Sequence, residues 1–183
     1  MRMPGTRRIL RLWRCPDRTD RACYAGTLAS KTSAGTEGTI MPARTSKAVW
    51  NGDLQSGTGQ MVVGNNAYTG DFSFKSRFEE GAGTNPEELI AAAHAGCYSM
   101  QLSAMLAREG KNPTSVSTSA HVTLEMVDGK PTITKIALDT TGVVPGMSDE
   151  EFTKFAEDAK AACLVTRALA GVEHVTLAAK LDR

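Results

Sequence analysis

The chain has 183 residues, 41% hydrophobic and 22% charged, with four cysteines and a formal net charge of +1. That length allows one domain with a real core, or one domain plus an appendage. The near-neutral charge gives no overall case for nucleic acid, no apolar run approaches the ~18 residues of a membrane span, and four cysteines do not make a disulfide scaffold.

The charge is unevenly spread. Residues 1–40 carry eight Lys/Arg against three acids, and the remainder carries 13 against 17. Residues 1–44 are rich in Arg, Thr, Gly and Ser without strand or helix periodicity, so they are expected to be a disordered basic extension. Cys15 and Cys23 lie here without Cys/His partners at zinc spacing. Two readings stay open: a basic targeting arm, or residues upstream of a true start at Met41, the second being simpler. No roughly 7–15-residue apolar stretch marks a secretory signal. A reducing cytoplasm is the expected location, where a cysteine pair is more often catalytic or sensory than structural.

From Ser46 the texture changes. Residues 48–50 and 59–63 predict short strands on either side of a Gly/Asp/Ser cluster. Phe72, Phe74 and Phe78 alternate with polar residues and predict a third strand, with Arg77 at its end. A helix then begins with Asn85 as N-cap, Pro86 at N1 and Glu88 at N3, a capping-box pattern. It is predicted to run to Glu109, with Gly110 beyond its end and Pro113 following. Apolar residues from Leu89 to Leu106 cover most of its circumference, which predicts a helix buried on nearly all sides.

Residues 121–127 and 133–138 flank Asp128-Gly129 and predict a hairpin with a tight primed turn, unless Pro131 lengthens the loop. A second capping box opens a helix at Ser148, with Glu151 at N3, and that helix carries Phe152, Phe155, Ala156, Ala159 and Cys163. Residues 175–181 predict a closing strand. Strands, helix, strands, helix and strand make an α+β domain over residues 45–183.

Chemistry centres on Cys97. Glu87, Ile90, His94 and Cys97 follow spacings of three, four and three, so they share one helical face. A nucleophilic cysteine must be largely thiolate near neutral pH, and burial alone works against that. A cation must therefore approach it, and His94, one turn away, and Arg77 are the nearby candidates. Cys163 supplies a second thiol to resolve whatever Cys97 becomes. Local sequence leaves two other readings open: Cys97 as a small buried hydrophobe, and His94 as a packed histidine satisfied by a backbone carbonyl.

The run Phe72-Ser73-Phe74-Lys75-Ser76-Arg77-Phe78-Glu79 and the run from Gly83-Thr84-Asn85-Pro86 to His94-Ala95-Gly96-Cys97 resemble the osmotically inducible protein C (OsmC) and organic hydroperoxide resistance (Ohr) family. So do residues 133–138 and Lys160-Ala161-Ala162-Cys163, and the resemblance spans roughly residues 46–183. The histidine-bearing helix is closer to the OsmC branch. The resemblance implies antiparallel sheets wrapped around a long central helix in an intertwined homodimer. It also implies a peroxidase that reduces organic hydroperoxides by cysteine alone, with no haem, metal or other cofactor. A dithiol, in the family a lipoylated protein, would be the reductant.

By that analogy Cys97 is the peroxidatic residue and Cys163 the resolving one. Arg77 would hold the thiolate and polarise the peroxide, and Glu87 would orient Arg77. A site lined by Leu, Met and Phe would favour apolar hydroperoxides over hydrogen peroxide. One departure stands out. Where the family often has Cys-Pro, a small aliphatic and Ser, this chain has Cys163-Leu164-Val165-Thr166, which bears on how the helix ends and how Cys163 reaches Cys97.

Glu87 and Cys97 are ten residues apart, about 15 Å along a continuous helix. One arginine can hardly touch both. Either the helix breaks between them, or the groups meeting at Arg77 come from two chains. Two other function classes compete with a peroxidase. A redox sensor would use the same disulfide without turnover, but residues 45–183 hold no DNA-binding motif or basic patch. A Cys/His acyl-transfer hydrolase would need an orienting group and an oxyanion hole, and would leave Cys163 without a role. Neither a nucleic acid nor a membrane is an expected partner.

Overall fold

The structure is a computed structural model and describes residues 41–182. Residues 1–40 of the basic extension, with Cys15 and Cys23, lie outside the described residues.

Three strands, β1 (Ser46–Asn51), β2 (Thr58–Val63) and β3 (Tyr68–Ser73), form a first antiparallel sheet in chain order. The third strand stops earlier than the phenylalanine alternation predicts. Ser73 caps a short helix, α1 (Phe74–Phe78), through a complete capping box with Ser76. That local hydrogen-bond pair overrides the period-two pattern and turns Phe74 and Phe78 onto a helix, where their rings sit 4.9 Å apart.

The long helix α2 (Pro86–Arg108) starts where predicted and ends one residue earlier, with Glu109 as its C-cap: Asn85 caps Glu88 N, Pro86 occupies the first turn, and Gly110 has φ +71° past the end. Only half of the expected capping box forms, because the Glu88 carboxylate accepts from the Thr84 hydroxyl instead. The burial prediction for α2 needs correction. Its buried residues are one stripe, His94, Tyr98, Leu102 and Leu106, at four-residue spacing. On the opposite side Ala93, Gly96 and Met100 are exposed. Periodicity reports how much of a helix is apolar, not what is there to cover it.

Strands β4 (Ser115–Val127) and β5 (Lys130–Val143) form the predicted hairpin. Val127 pairs with Lys130, and Asp128 and Gly129 both take positive φ, so the turn is the two-residue primed type and Pro131 sits within the strand. The helix α3 (Asp149–Ala162) is capped by Ser148, whose side chain accepts from Glu151 N. Cys163 then breaks the helix, and a five-residue helix α4 (Leu164–Ala168) follows. The last strand, β6 (His174–Asp182), joins β5 in parallel register, so the second sheet is mixed rather than wholly antiparallel. A parallel neighbour needs a crossover, and α3 with α4 provides it.

The core lies between α2, α3 and the second sheet. On β5 Ile136, Leu138 and Thr140 point inward at alternate positions. They meet Tyr98, Leu102 and Leu106 from α2 and Phe152, Ala156 and Ala159 from α3. This packing fixes α2 against α3 and therefore sets where the two cysteines sit.

Candidate active site

Cys97 and Cys163 come from different elements, 66 positions apart, and their sulfurs lie 3.5 Å from each other with the Cys163 thiol donating. Both are free thiols; Cys97 is half-buried and Cys163 fully buried. The fixed spacing of α2 and α3 brings them together. Tyr98, next to Cys97, adds to that spacing: its hydroxyl donates to the Ala156 carbonyl at 3.1 Å. Burial, with Glu157 and Cys163 nearby, raises the Tyr98 phenol above its ordinary range, so it stays a neutral donor.

The helix break at Cys163 forms without a proline. Cys163 has extended backbone, φ −60° and ψ 127°, and is both the C-cap of α3 and the N-cap of α4. Its N–H donates to the Ala159 carbonyl, and its carbonyl accepts from Arg167 N. Leu164, at the position of the family's proline, is 62% exposed. The joint therefore does not depend on a fixed φ at residue 164.

Arg77 and Glu87 form a second pair. The guanidinium grips the carboxylate through Nη2–Oε1 at 2.7 Å and through Nε to both oxygens at 3.2 Å. This fork is the geometry in which arginine outperforms lysine. The α1 turn places it there. Ser76 donates to the Thr84 carbonyl, and Asn85 donates back to the Ser76 carbonyl, which staples α1 to the start of α2. The guanidinium also stands over the Phe78 ring, 5.1 Å from its centre.

The four residues thus fall into two pairs, Cys97 with Cys163 and Arg77 with Glu87, and one chain does not join them. The helix between Glu87 and Cys97 is unbroken, so about 15 Å of axis separates the pairs. Beside Arg77 and Glu87 a cavity of about 340 Å³ is lined by Ala91, Val122 and Leu124.

His94 is fully buried and is not satisfied by a backbone carbonyl. Its Nε2 lies 2.8 Å from Thr166 Oγ1, and Nδ1 has no hydrogen-bond partner. Burial holds its pKa below the ordinary value, which favours the neutral ring. It therefore supplies no fixed cation to Cys97. Thr166 and Tyr98 are the residues the sequence did not single out. The one available signal for Thr166 is symmetry, since it follows Cys163 by three positions as His94 precedes Cys97 by three. Among the described residues, no three His, Cys, Asp or Glu side chains gather as a metal would require.

Comparisons with known proteins agree with this architecture. Residues 79–178 match the family model described as OsmC-like protein. The chain is 44% identical over 124 residues to Peroxiredoxin OsmC of Escherichia coli, spanning 67% of this chain and 87% of that protein. It is 33% identical over 98 residues to the organic hydroperoxide resistance protein of Xanthomonas axonopodis pv. citri, spanning 53% of this chain and 67% of that one. An OsmC-like protein from Mycoplasma pneumoniae shares the fold with TM-score 0.62 at 14% identity, over 79% of this chain and 100% of that chain. An organic hydroperoxide resistance protein from Legionella pneumophila does so with TM-score 0.57 at 20% identity, over 78% and 100%. By the family match over residues 79–178 and the identity to the Escherichia coli protein, this chain belongs to the OsmC-like protein family.

Proposed function

We propose that this protein is a thiol peroxidase that reduces organic hydroperoxides to alcohols through a Cys97 sulfenic acid and a Cys97–Cys163 disulfide. The observation that carries this reading is the sulfur pair: two free thiols, one on α2 and one at the joint between α3 and α4, 3.5 Å apart at the edge of the apolar core. Relatives named as a peroxiredoxin and an organic hydroperoxide resistance protein support the peroxide class.

The Cys97 thiolate attacks one peroxide oxygen, the O–O bond breaks, and the alkoxide takes a proton and leaves as the alcohol. The sulfur is oxidised to the sulfenic acid. The Cys163 thiolate then attacks that sulfur, the S–S bond forms, and the S–O bond breaks with loss of water. A dithiol, a protein-bound lipoyl group included, returns the pair to thiols by two exchange steps. Burial suits the two roles: Cys97, half-open, meets substrate, and Cys163, with its thiol aimed at Cys97, resolves.

Arg77, permanently charged, is the group to hold thiolate and peroxide, and Glu87 keeps its fork in one orientation. Their separation from Cys97 along α2 leaves the site incomplete in one chain. We therefore propose a homodimer in which the Arg77–Glu87 pair of one copy meets the thiols of the other. The stripe Leu89, Ala93, Gly96 and Met100 supports this, because it lies opposite the buried face of α2 and needs a cover. A groove of about 830 Å³ between that face and the first sheet is lined by Met61, Val62, Leu89 and Ala92 among others. A cytoplasmic setting would keep both thiols reduced between turnovers. Among the described residues no helix is long and apolar enough to cross a membrane.

The test is turnover. Reduced protein with cumene hydroperoxide and dihydrolipoamide is expected to consume peroxide catalytically, and Cys97→Ser to abolish this. Stoichiometric oxidation without turnover, with other dithiols also failing, would favour a redox sensor. Unchanged turnover in Cys97→Ser would refute the proposal.

A further inference from the structure

His94 and Thr166 bracket the sulfur pair. His94 stands three residues before Cys97 on α2, and Thr166 three residues after Cys163 on α4. Their hydrogen bond, 2.8 Å long, joins the two elements that carry the thiols. The helix α4 needs such a link. It has five residues and none is buried, and among the described residues its side chains make no other hydrogen bond to the rest of the fold. Val165 and Leu169 pack on the core, and the hydrogen bond adds a directional contact to that apolar one.

The chemistry of resolution makes that contact matter. The sulfurs lie 3.5 Å apart as thiols, and a disulfide closes to about 2.05 Å with a narrow range of torsion. The sulfurs must close by about 1.5 Å, and Cys163 sits on an extended joint between two helices, followed by Leu164 rather than a residue of fixed φ. The buried ring also shows which way the bond runs. An unpaired N–H in a core costs more than an unfilled lone pair, so the proton belongs on Nε2, donating to Thr166 Oγ1, and the partnerless Nδ1 keeps only a lone pair.

We propose that the His94–Thr166 hydrogen bond is a positioning tether that holds the chain after Cys163 so that its thiol stays within reach of the Cys97 sulfenic acid. Both are positioning residues in this proposal, acting on Cys163 through the chain that follows it. The step they serve is the second one, in which the S–S bond forms, the S–O bond breaks and water leaves. The proposal rests on the disulfide reading above, and it assigns a step-specific defect to each variant.

Thr166→Val keeps the shape and removes the hydroxyl, Thr166→Ser restores it, and His94→Gln removes the ring; Thr166→Ala stands in should the valine variant fail to fold. In a single-turnover quench with cumene hydroperoxide, Thr166→Val is expected to leave the loss of reduced Cys97 at the wild-type rate. Formation of the Cys97–Cys163 disulfide slows by about fivefold, the equilibrium worth of one neutral hydrogen bond, and dimedone traps more sulfenic acid. Thr166→Ser recovers the rate, and the double variant is no slower than the slower single one. A second arm closes the disulfide with diamide, which takes two electrons and two protons from the thiols and becomes the hydrazine. A wild type that ignores peroxide would sink the peroxidase reading, and the diamide arm would still decide the tether. Closure by diamide at the wild-type rate in Thr166→Val overturns the tether, and so does equal slowing of both peroxide steps.

Discussion

Arg77 clasps Glu87 in the first turn of α2, with Nη2 2.7 Å from Oε1, while Cys97 lies ten residues further along the same unbroken helix. In one chain the cation and the thiol are thus kept apart by a rigid element, and it is the proposed second copy that would bring them together.

Removing the guanidinium tests its role. Arg77→Ala is expected to lower kcat/KM for cumene hydroperoxide on the order of 10²-fold, as loss of a preorganised donor does. The pair is partly open, with side-chain exposures of 36% and 12%, so stability falls by no more than about 1 kcal/mol. Glu87→Gln moves activity in the same direction by less. Steady-state kinetics beside urea unfolding separate the two effects, and a large stability loss with normal activity would contradict the assignment.

The apolar stripe of α2 tests the homodimer. Met100 is 76% exposed, so in a lone chain Met100→Glu would change stability by no more than about 0.5 kcal/mol. Covered by a second copy, the same carboxylate is buried without a partner and the dimer dissociates. Analytical ultracentrifugation is expected to give a dimer for the wild type and a monomer for Met100→Glu, with peroxidase activity lost alongside. A fully active wild-type monomer would refute the two-copy site.

His94 sets a pH dependence of stability. Burial depresses its pKa below the ordinary 6.5, so as pH falls the unfolded chain binds a proton before the folded one does. The stability that neutral His94 contributes is fully present above that ordinary value. It is lost as pH drops through it towards the lower folded value. The urea midpoint is expected to fall between about pH 7 and about pH 5, and more steeply in wild type than in His94→Gln. Parallel curves would show that His94 does not titrate in this way.

Gly142 on β5 faces the ring of the fully buried Phe152, where an added Cβ would press into the ring. Gly142→Ala is expected to cost about 1–3 kcal/mol by overpacking and to leave the sulfur pair's chemistry intact once folded. Chemical denaturation reads the loss, and a neutral result would show that Phe152 can shift.

The sequence was most legible where local chemistry decides. Asn85, Pro86 and Gly110 set the ends of α2, and Asp128-Gly129 set the hairpin turn, because caps and primed turns depend on a few adjacent residues. It was least legible where partners lie far apart. The Ser73–Ser76 box turned a predicted strand into α1, the parallel pairing of β6 with β5 is non-local, and the stripe of α2 carries no mark of what covers it. The site divides in the same way. Cys97 and Cys163 could be named from the family pattern, whereas Thr166 emerges only when α4 is laid against α2.

The central claim is tested most directly by mass spectrometry of the protein after one equivalent of cumene hydroperoxide, without reductant. Wild type is expected to lose two hydrogens and to yield a peptide pair linked through Cys97 and Cys163, with Cys15 and Cys23 still reduced. Cys163→Ser is expected to gain one oxygen on Cys97, trappable by dimedone, and Cys97→Ser to remain unmodified. Oxidation of Cys163 in Cys97→Ser at the wild-type rate, or a wild-type product without the Cys97–Cys163 link, would contradict the account.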